Sequence, residues 1–219
     1  MPCHSYIFFD REPSITQVPE EVLKQYKDAF VSLLEHAGDV GVAAYATLGF
    51  KPRTRFMLHL RAAEAGSIQH YLQTLMRSAF GKHLTITHTF LGLVRPSQYN
   101  PHRAPEEKEF VDGAGKYLIV YPFTKTPEWH LLPLEERREM MREHVHVART
   151  FSTSIRQLLL YAYGIDDHEF IVSYQCDRLL DFQTLVMELR STKGRAYTKN
   201  DTPIFLCTHV PLSQLPELL

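Results

Sequence analysis

Val40-Gly-Val-Ala-Ala-Tyr-Ala-Thr-Leu48, a turn around Gly49 and Pro52, and then Thr54-Arg-Phe-Met-Leu-His-Leu-Arg61 is the stretch that decides the fold. Both runs are short, rich in apolar residues and bounded by turn formers, which reads as two strands. Upstream, Pro19 to Ala37 places Val22, Tyr26, Phe30, Leu33, Leu34 and Ala37 at three- and four-residue spacings. That is the apolar stripe of a helix, with Pro19 suited to its first turn. Ser5 to Arg11 before it reads as a strand. Downstream, Gly66 to Phe80 gives a second helix with Ile68, Leu72, Leu75 and Met76 inward, and Leu84 to Leu93 a fourth strand. The order is βαββαβ, the ferredoxin-like unit.

The rest of the chain reads as a second unit of the same kind. Tyr117 to Lys125 is strand-like, Pro133 to Tyr163 is one long or broken helix, and Glu169 to Cys176 is a strand. Leu179 to Leu189 and Ile204 to Val210 follow as helix and strand. Pro133 opens the long helix, Glu135 and Glu136 suit its positive N-terminal end, and Gly164 suits its end. The Pro- and charge-rich segment from Arg95 reads as a connecting loop and a candidate lid. The expected division is 1–94, a connection over 95–116, and 117–219. The expected class is α+β, two ferredoxin-like halves whose antiparallel sheet wraps into a barrel within one chain.

With 219 residues, 44% of them hydrophobic and 22% charged, the chain is long enough for one large domain or two fused small ones. A formal charge of -1 gives no reason to expect nucleic acid or an anionic membrane as partner. Met1-Pro-Cys-His-Ser5 lacks the pattern of a secretory signal and no apolar run approaches membrane-spanning length, so a cytoplasmic location is expected. Cys3, Cys176 and Cys207 are too widely spaced for a zinc site and odd in number, and are expected to stay reduced.

The segment Tyr121-Pro-Phe-Thr-Lys125, followed by Glu128-Trp129 and Arg142-Glu143-His144, carries the chemistry. In an extended strand Tyr121, Phe123 and Lys125 share a face, so a phenol and an ammonium can flank one ligand. His144 sits on an apolar helix face with Met140, Met141, Val147, Ala148 and Phe151. Taken alone these are ordinary residues: such a histidine is usually a core residue, Tyr121 a cross-strand packing residue and Lys125 a solvated strand end.

The run from Tyr121 through Glu128-Trp-His-Leu-Leu-Pro133 to His144 resembles the central signature of the chlorite dismutase superfamily, and within it the coproheme decarboxylases. The likeness continues through Gln157, Gly164-Ile-Asp-Asp-His-Glu-Phe170, Phe182 to Arg190 and Tyr197 to Pro203, and the first half adds Leu91-Gly-Leu-Val-Arg-Pro-Ser-Gln-Tyr99. The resemblance implies a dimeric α+β barrel with haem in the C-terminal half, and a homopentamer. It implies that His144 is the proximal iron ligand, and that Tyr121 forms the radical that attacks a propionate. Lys125 would fix the second reactive propionate by a charge-assisted hydrogen bond. Arg190 is implied to bind a propionate, with Ser97 and Gln98 near the others.

Gln157 stands thirteen residues after His144, where chlorite dismutases carry arginine. A neutral amide cannot hold an oxychlorine anion as arginine would. An unbroken helix would put Gln157 roughly 20 Å from His144, so a break near Thr150 to Ser154 is expected. Adjacent Arg156 would blur the distinction if the alignment slips by one. Arg95, Arg103 and Lys116 read as loop charges.

The chain departs from the family at Val145, at Lys193 and Gly194, where an acidic partner to the proximal imidazole is expected, and at Val94, where some decarboxylases place a distal histidine. His88, His102 and His130 are the alternative bases. The expected activity is oxidative decarboxylation of iron-coproporphyrin III, coproheme, to haem b with hydrogen peroxide. Coproheme is then both substrate and redox centre. The alternatives are a chlorite dismutase or haem peroxidase, and a non-catalytic haem carrier or sensor.

Overall fold

The computed structural model describes residues 2–99 and 110–218; His102 and Arg103 lie outside the described residues. The chain forms two compact units, Met1–Leu93 with Leu206–Leu219, and Val94–Phe205.

The first unit contains β1 (Cys3–Arg11), α1 (Glu20–Glu35), β2 (Gly41–Ala46), β3 (Phe56–Ala62), α2 (Ala65–Arg77) and β4 (Leu84–Leu93). β1 lies between β3 and β4, and β2 flanks β3, all antiparallel. This is the order expected of a ferredoxin-like unit. Along β1, Cys3, Ile7 and Phe9 alternate onto the face that meets the helices, as a period of two requires. Phe30 and Leu34 of α1 and Ile68 and Leu75 of α2 close over them, so the stripes read from sequence are the ones that pack. Met57, His59, Tyr6 and His4 occupy the other face, where the His4 Nδ1 and His59 Nε2 atoms are 3.0 Å apart.

The final strand, β9 (Phe205–Val210), pairs through Ala44↔Val210 and Ala46↔Thr208 with β2. Lys27 Nζ donates to the Pro216 carbonyl at 3.2 Å, fastening the C-terminal turn to α1. The segment Leu206–Leu219 thus packs with the first unit, although it was read with the second half.

The second unit contains β5 (Tyr117–Lys125), the short α3 (Pro127–Leu131), α4 (Leu134–Arg149), β6 (Ile155–Tyr161), β7 (Phe170–Cys176), α5 (Leu179–Arg190) and the short β8 (Thr198–Asn200). Within it β7 lies between β5 and β6, antiparallel to both, and β8 pairs with the end of β5. The fold class is α+β with two ferredoxin-like halves, as expected.

The long helix read over Pro133 to Tyr163 is corrected. α4 ends at Arg149, residues 150–154 form turns, and β6 follows. Thr150 Oγ1 and Ser154 Oγ donate to carbonyls three residues back, Val147 and Phe151, and so compete with helical bonding where the chain turns. Gly164, read as the end of that helix, takes φ 71 in the turn after β6 instead. Cys3, Cys176 and Cys207 are buried free thiols, and no helix of the described residues is long and apolar enough to cross a membrane.

Candidate functional site

The second unit encloses a cavity of about 860 Å³, a size that suits a cofactor-scale ligand. Its floor is one face of the sheet. The registers Tyr121↔Val172, Phe123↔Phe170, Gln157↔Tyr174, Leu159↔Val172 and Tyr161↔Phe170 place all of these side chains on that face. The expected sharing of a face by Tyr121, Phe123 and Lys125 is met, and all three line the cavity. The facing wall is α4, which presents Met141, His144, Val145 and Ala148, and α5 adds Leu185, Leu189 and Arg190. His144 therefore stands across the cavity from the Tyr121 strand. The break after Arg149 lets the chain return as β6 with Gln157 on the cavity face.

Charge within the cavity is tuned by burial. The Tyr121 phenol, hydrogen-bonded to Tyr174, is pushed up to about 12, first by burial and then by the Asp201 carboxylate. It keeps its proton across all ordinary pH. Burial, then the Arg195 cation, lower the Lys125 ammonium to about 8. Lys125 Nζ donates to the Gly194 carbonyl at 3.0 Å, reaches Thr198 Oγ1 at 3.4 Å, and lies 4.6 Å from the centre of the Trp129 ring. Burial, then Lys125, push the His144 imidazole down to about 4, so it is neutral and its nitrogen lone pair is open to a metal.

Of the remaining sequence candidates, Arg190 and Ser97 line the cavity. Gln98 is exposed and is not part of its lining, so its side chain is not brought to the others. Val94 is buried in the wall where a distal histidine was sought. Among the alternative bases, His130 is bound to Glu169 (Nε2 to Oε1, 2.8 Å) and His88 belongs to β4; neither lines the cavity. The Lys193–Gly194 departure also has a structural counterpart. The carboxylate acting on His144 is Glu143, which accepts a hydrogen bond from the Lys193 backbone N–H at 3.0 Å.

Sequence reasoning missed three groups. Arg195 and Asp201 line the cavity, and one Asp201 oxygen, Oδ2, accepts from Arg190 Nη2 at 3.0 Å and Arg195 Nη2 at 3.3 Å. Arg95, read as a loop charge, lines the cavity with its guanidinium 6.0 Å from the Tyr161 ring centre. Arg138, Arg142 and Arg149 form a cationic rim along α4, the first two bridged by Glu135. The spacing of four between Arg138 and Arg142 was the signal available for the rim.

This donor set fits an iron porphyrin bearing carboxylates. A single neutral imidazole suits an iron whose other in-plane ligands come from the macrocycle. Leucine, valine and aromatic side chains give an apolar slot for the ring, and arginines and a lysine surround it where carboxylates would lie. Arg195 Nη1 is buried and, among the described residues, has no hydrogen-bond acceptor, which a ligand carboxylate would supply.

Comparison with known proteins agrees with this geometry. The family model described as chlorite dismutase matches residues 19–210. A coproheme decarboxylase from Mycolicibacterium smegmatis is 29% identical over 194 residues, 86% of this chain and 82% of that protein. A chlorite dismutase from Ideonella dechloratans is 24% identical over 201 residues, 88% of this chain and 70% of that protein. A mutant chlorite dismutase structure from Candidatus Nitrospira defluvii superposes with a TM-score of 0.91 at 25% identity, covering 99% of this chain and 94% of the other. With nearly its whole length matched in sequence pattern and in structure, the chain belongs to the chlorite dismutase family.

Proposed function

We propose that the protein is a coproheme decarboxylase, which oxidises two propionates of iron-coproporphyrin III to vinyl groups with hydrogen peroxide. For each propionate, one peroxide and one proton are consumed, the carboxylate leaves as carbon dioxide, the side chain becomes a vinyl group and two waters form. The observation that carries the reading is the placing of a neutral phenol, Tyr121, and a cation, Lys125, on one cavity-facing edge opposite the neutral imidazole of His144.

In this reading His144 holds the substrate iron from the α4 side. The bound iron porphyrin supplies the oxidising power released when peroxide is cleaved. Tyr121 gives up its electron and proton together, because its raised pKa disfavours a bare phenolate, and the phenoxyl radical then takes a hydrogen atom from the neighbouring propionate. Lys125 has no accessible redox state. It holds a carboxylate by charge and hydrogen bonding, for which its flexible stem and three donors are suited. Arg190 binds a further carboxylate, and Ser97 borders the cavity near Tyr99 as a polar contact. The neutral amide of Gln157, facing the cavity from β6, contributes a hydrogen bond without an added charge. A homopentamer in the cytoplasm is part of the same proposal, carried over from the family resemblance.

Mass spectrometry of the porphyrin after mixing purified protein, coproheme and peroxide tests the reading. The three-propionate intermediate followed by haem b is expected; unaltered coproheme beside consumed peroxide would refute it. A chlorite dismutase is the second reading, favoured by Arg156, whose guanidinium reaches the cavity lining and donates from Nη1 to the Ala114 carbonyl at 3.4 Å. Sustained oxygen release from chlorite in an electrode assay would decide for it.

A further inference from the structure

The turn Lys193–Tyr197 is pinned on three sides. Its Lys193 N–H donates to Glu143 on α4, its Tyr197 carbonyl accepts from Thr126 N–H, and its Gly194 carbonyl accepts from Lys125 Nζ. Arg195 is thereby fixed beside the end of β5, and its positive charge acts on both Tyr121 and Lys125. It is the one cation named as acting on both of those residues. Its guanidinium is tied at Nη2 to Asp201, while Nη1 is buried and has no acceptor among the described residues. The same Asp201 oxygen also serves Arg190. One carboxylate is thus shared between two guanidinium forks, and together with Lys125 this corner of the cavity is short of negative charge.

We propose that Arg195 and Asp201 form a carboxylate-exchange pair: Arg195 is a specificity-determining residue that takes the carboxylate of a reactive propionate, and Asp201 stands in for that carboxylate until substrate enters. The inference rests on the coproheme reading. A guanidinium fork with one prong tied and one unsatisfied is matched to a second carboxylate. Substrate supplies that anion and relieves the sharing of Asp201 between the two arginines. The vinyl group left after decarboxylation cannot accept a hydrogen bond, so Asp201 reclaims Arg195 and the product is held less tightly at this corner. The pair thereby separates coproheme from haem b by what Arg195 can bond.

The test titrates the full-length ligand-free protein with coproheme and, separately, with haem b, following the porphyrin absorbance without peroxide. Arg195→Gln is expected to weaken coproheme binding about tenfold or more while haem b binding stays within about twofold. Arg195→Lys keeps the charge without the fork and should show a smaller loss of the same selective kind; it also serves if Arg195→Gln does not fold. Asp201→Asn removes the competing anion and should tighten coproheme binding, the opposite of what loss of a merely structural ion pair would do. Equal weakening of both porphyrins by the Arg195 variants, or weaker coproheme binding by Asp201→Asn, overturns the pair. A wild-type protein that binds coproheme with this pattern but makes no haem b would sink the decarboxylase reading and leave the pair standing. One that makes haem b while Arg195→Gln shows no selective loss would do the reverse, and a wild type that binds no coproheme overturns both.

Discussion

Helices α1 and α4 are each sixteen residues long and each follow the first strand of a ferredoxin-like half, but they are used in opposite ways. α1 buries Phe30, Val31 and Leu34 against its sheet. α4 buries no residue fully and turns Met141, His144, Val145 and Ala148 toward an open cavity. The same supersecondary order is closed by aromatic and aliphatic filling in one unit and left hollow in the other. A hollow costs contacts that packing would have supplied, and it is tolerated where a ligand completes the core. The first half is where this fold is stabilised by its own residues, and the second is where it is completed from outside.

The largest effect expected from that contrast is at His144. His144→Ala should abolish the imidazole-type spectrum of added coproheme and remove decarboxylation, measured by absorbance titration and product analysis. An unchanged spectrum with unchanged affinity would remove His144 from the site.

A stability comparison breaks or sharpens the same contrast without any ligand. Phe30→Ala in the filled core should cost about 3–5 kcal/mol in urea unfolding. Met141→Ala on the cavity wall should cost about 1 kcal/mol or less, because its side chain already faces space rather than packed neighbours. Equal costs would mean that α4 is packed as tightly as α1.

How far the sequence was legible follows the same line. The apolar stripes Tyr26-Phe30-Leu34 and Ile68-Leu72-Leu75 were readable because each meets a sheet on one side and water on the other. β4 and β5 were readable to the residue, bounded by turns. β6 was not. Leu158 and Leu160 are buried on one face while Leu159 and Tyr161 line the cavity on the other. A strand apolar on both faces shows no alternation, and the run merged with the helix before it. Tyr121, Lys125 and His144 were legible through family likeness, and strand periodicity correctly put the first two on one face. Arg195 and Asp201 escaped because they lie on a turn and beyond the short β8, where no periodicity announces a cavity. Gln98 was named from its neighbourhood to Ser97, yet its side chain is exposed.

A smaller effect is expected from pH. The free Lys125 ammonium titrates near 8, and a bound carboxylate raises that value, so binding takes up a proton above this point. Coproheme affinity should be full below about pH 8 and fall as pH rises beyond it, with Lys125→Met flattening the profile. Affinity that rises with pH in this range would mean that Lys125 meets no carboxylate.

The division of labour between Tyr121 and Lys125 is the centre of the account, and one measurement addresses it most directly. Tyr121→Phe keeps the ring that stacks on Tyr174 but removes the O–H. Mass spectrometry after coproheme and peroxide are added to this variant should find coproheme bound, peroxide consumed and almost no decarboxylated product, whereas haem b at near the parent rate would contradict the radical role of Tyr121.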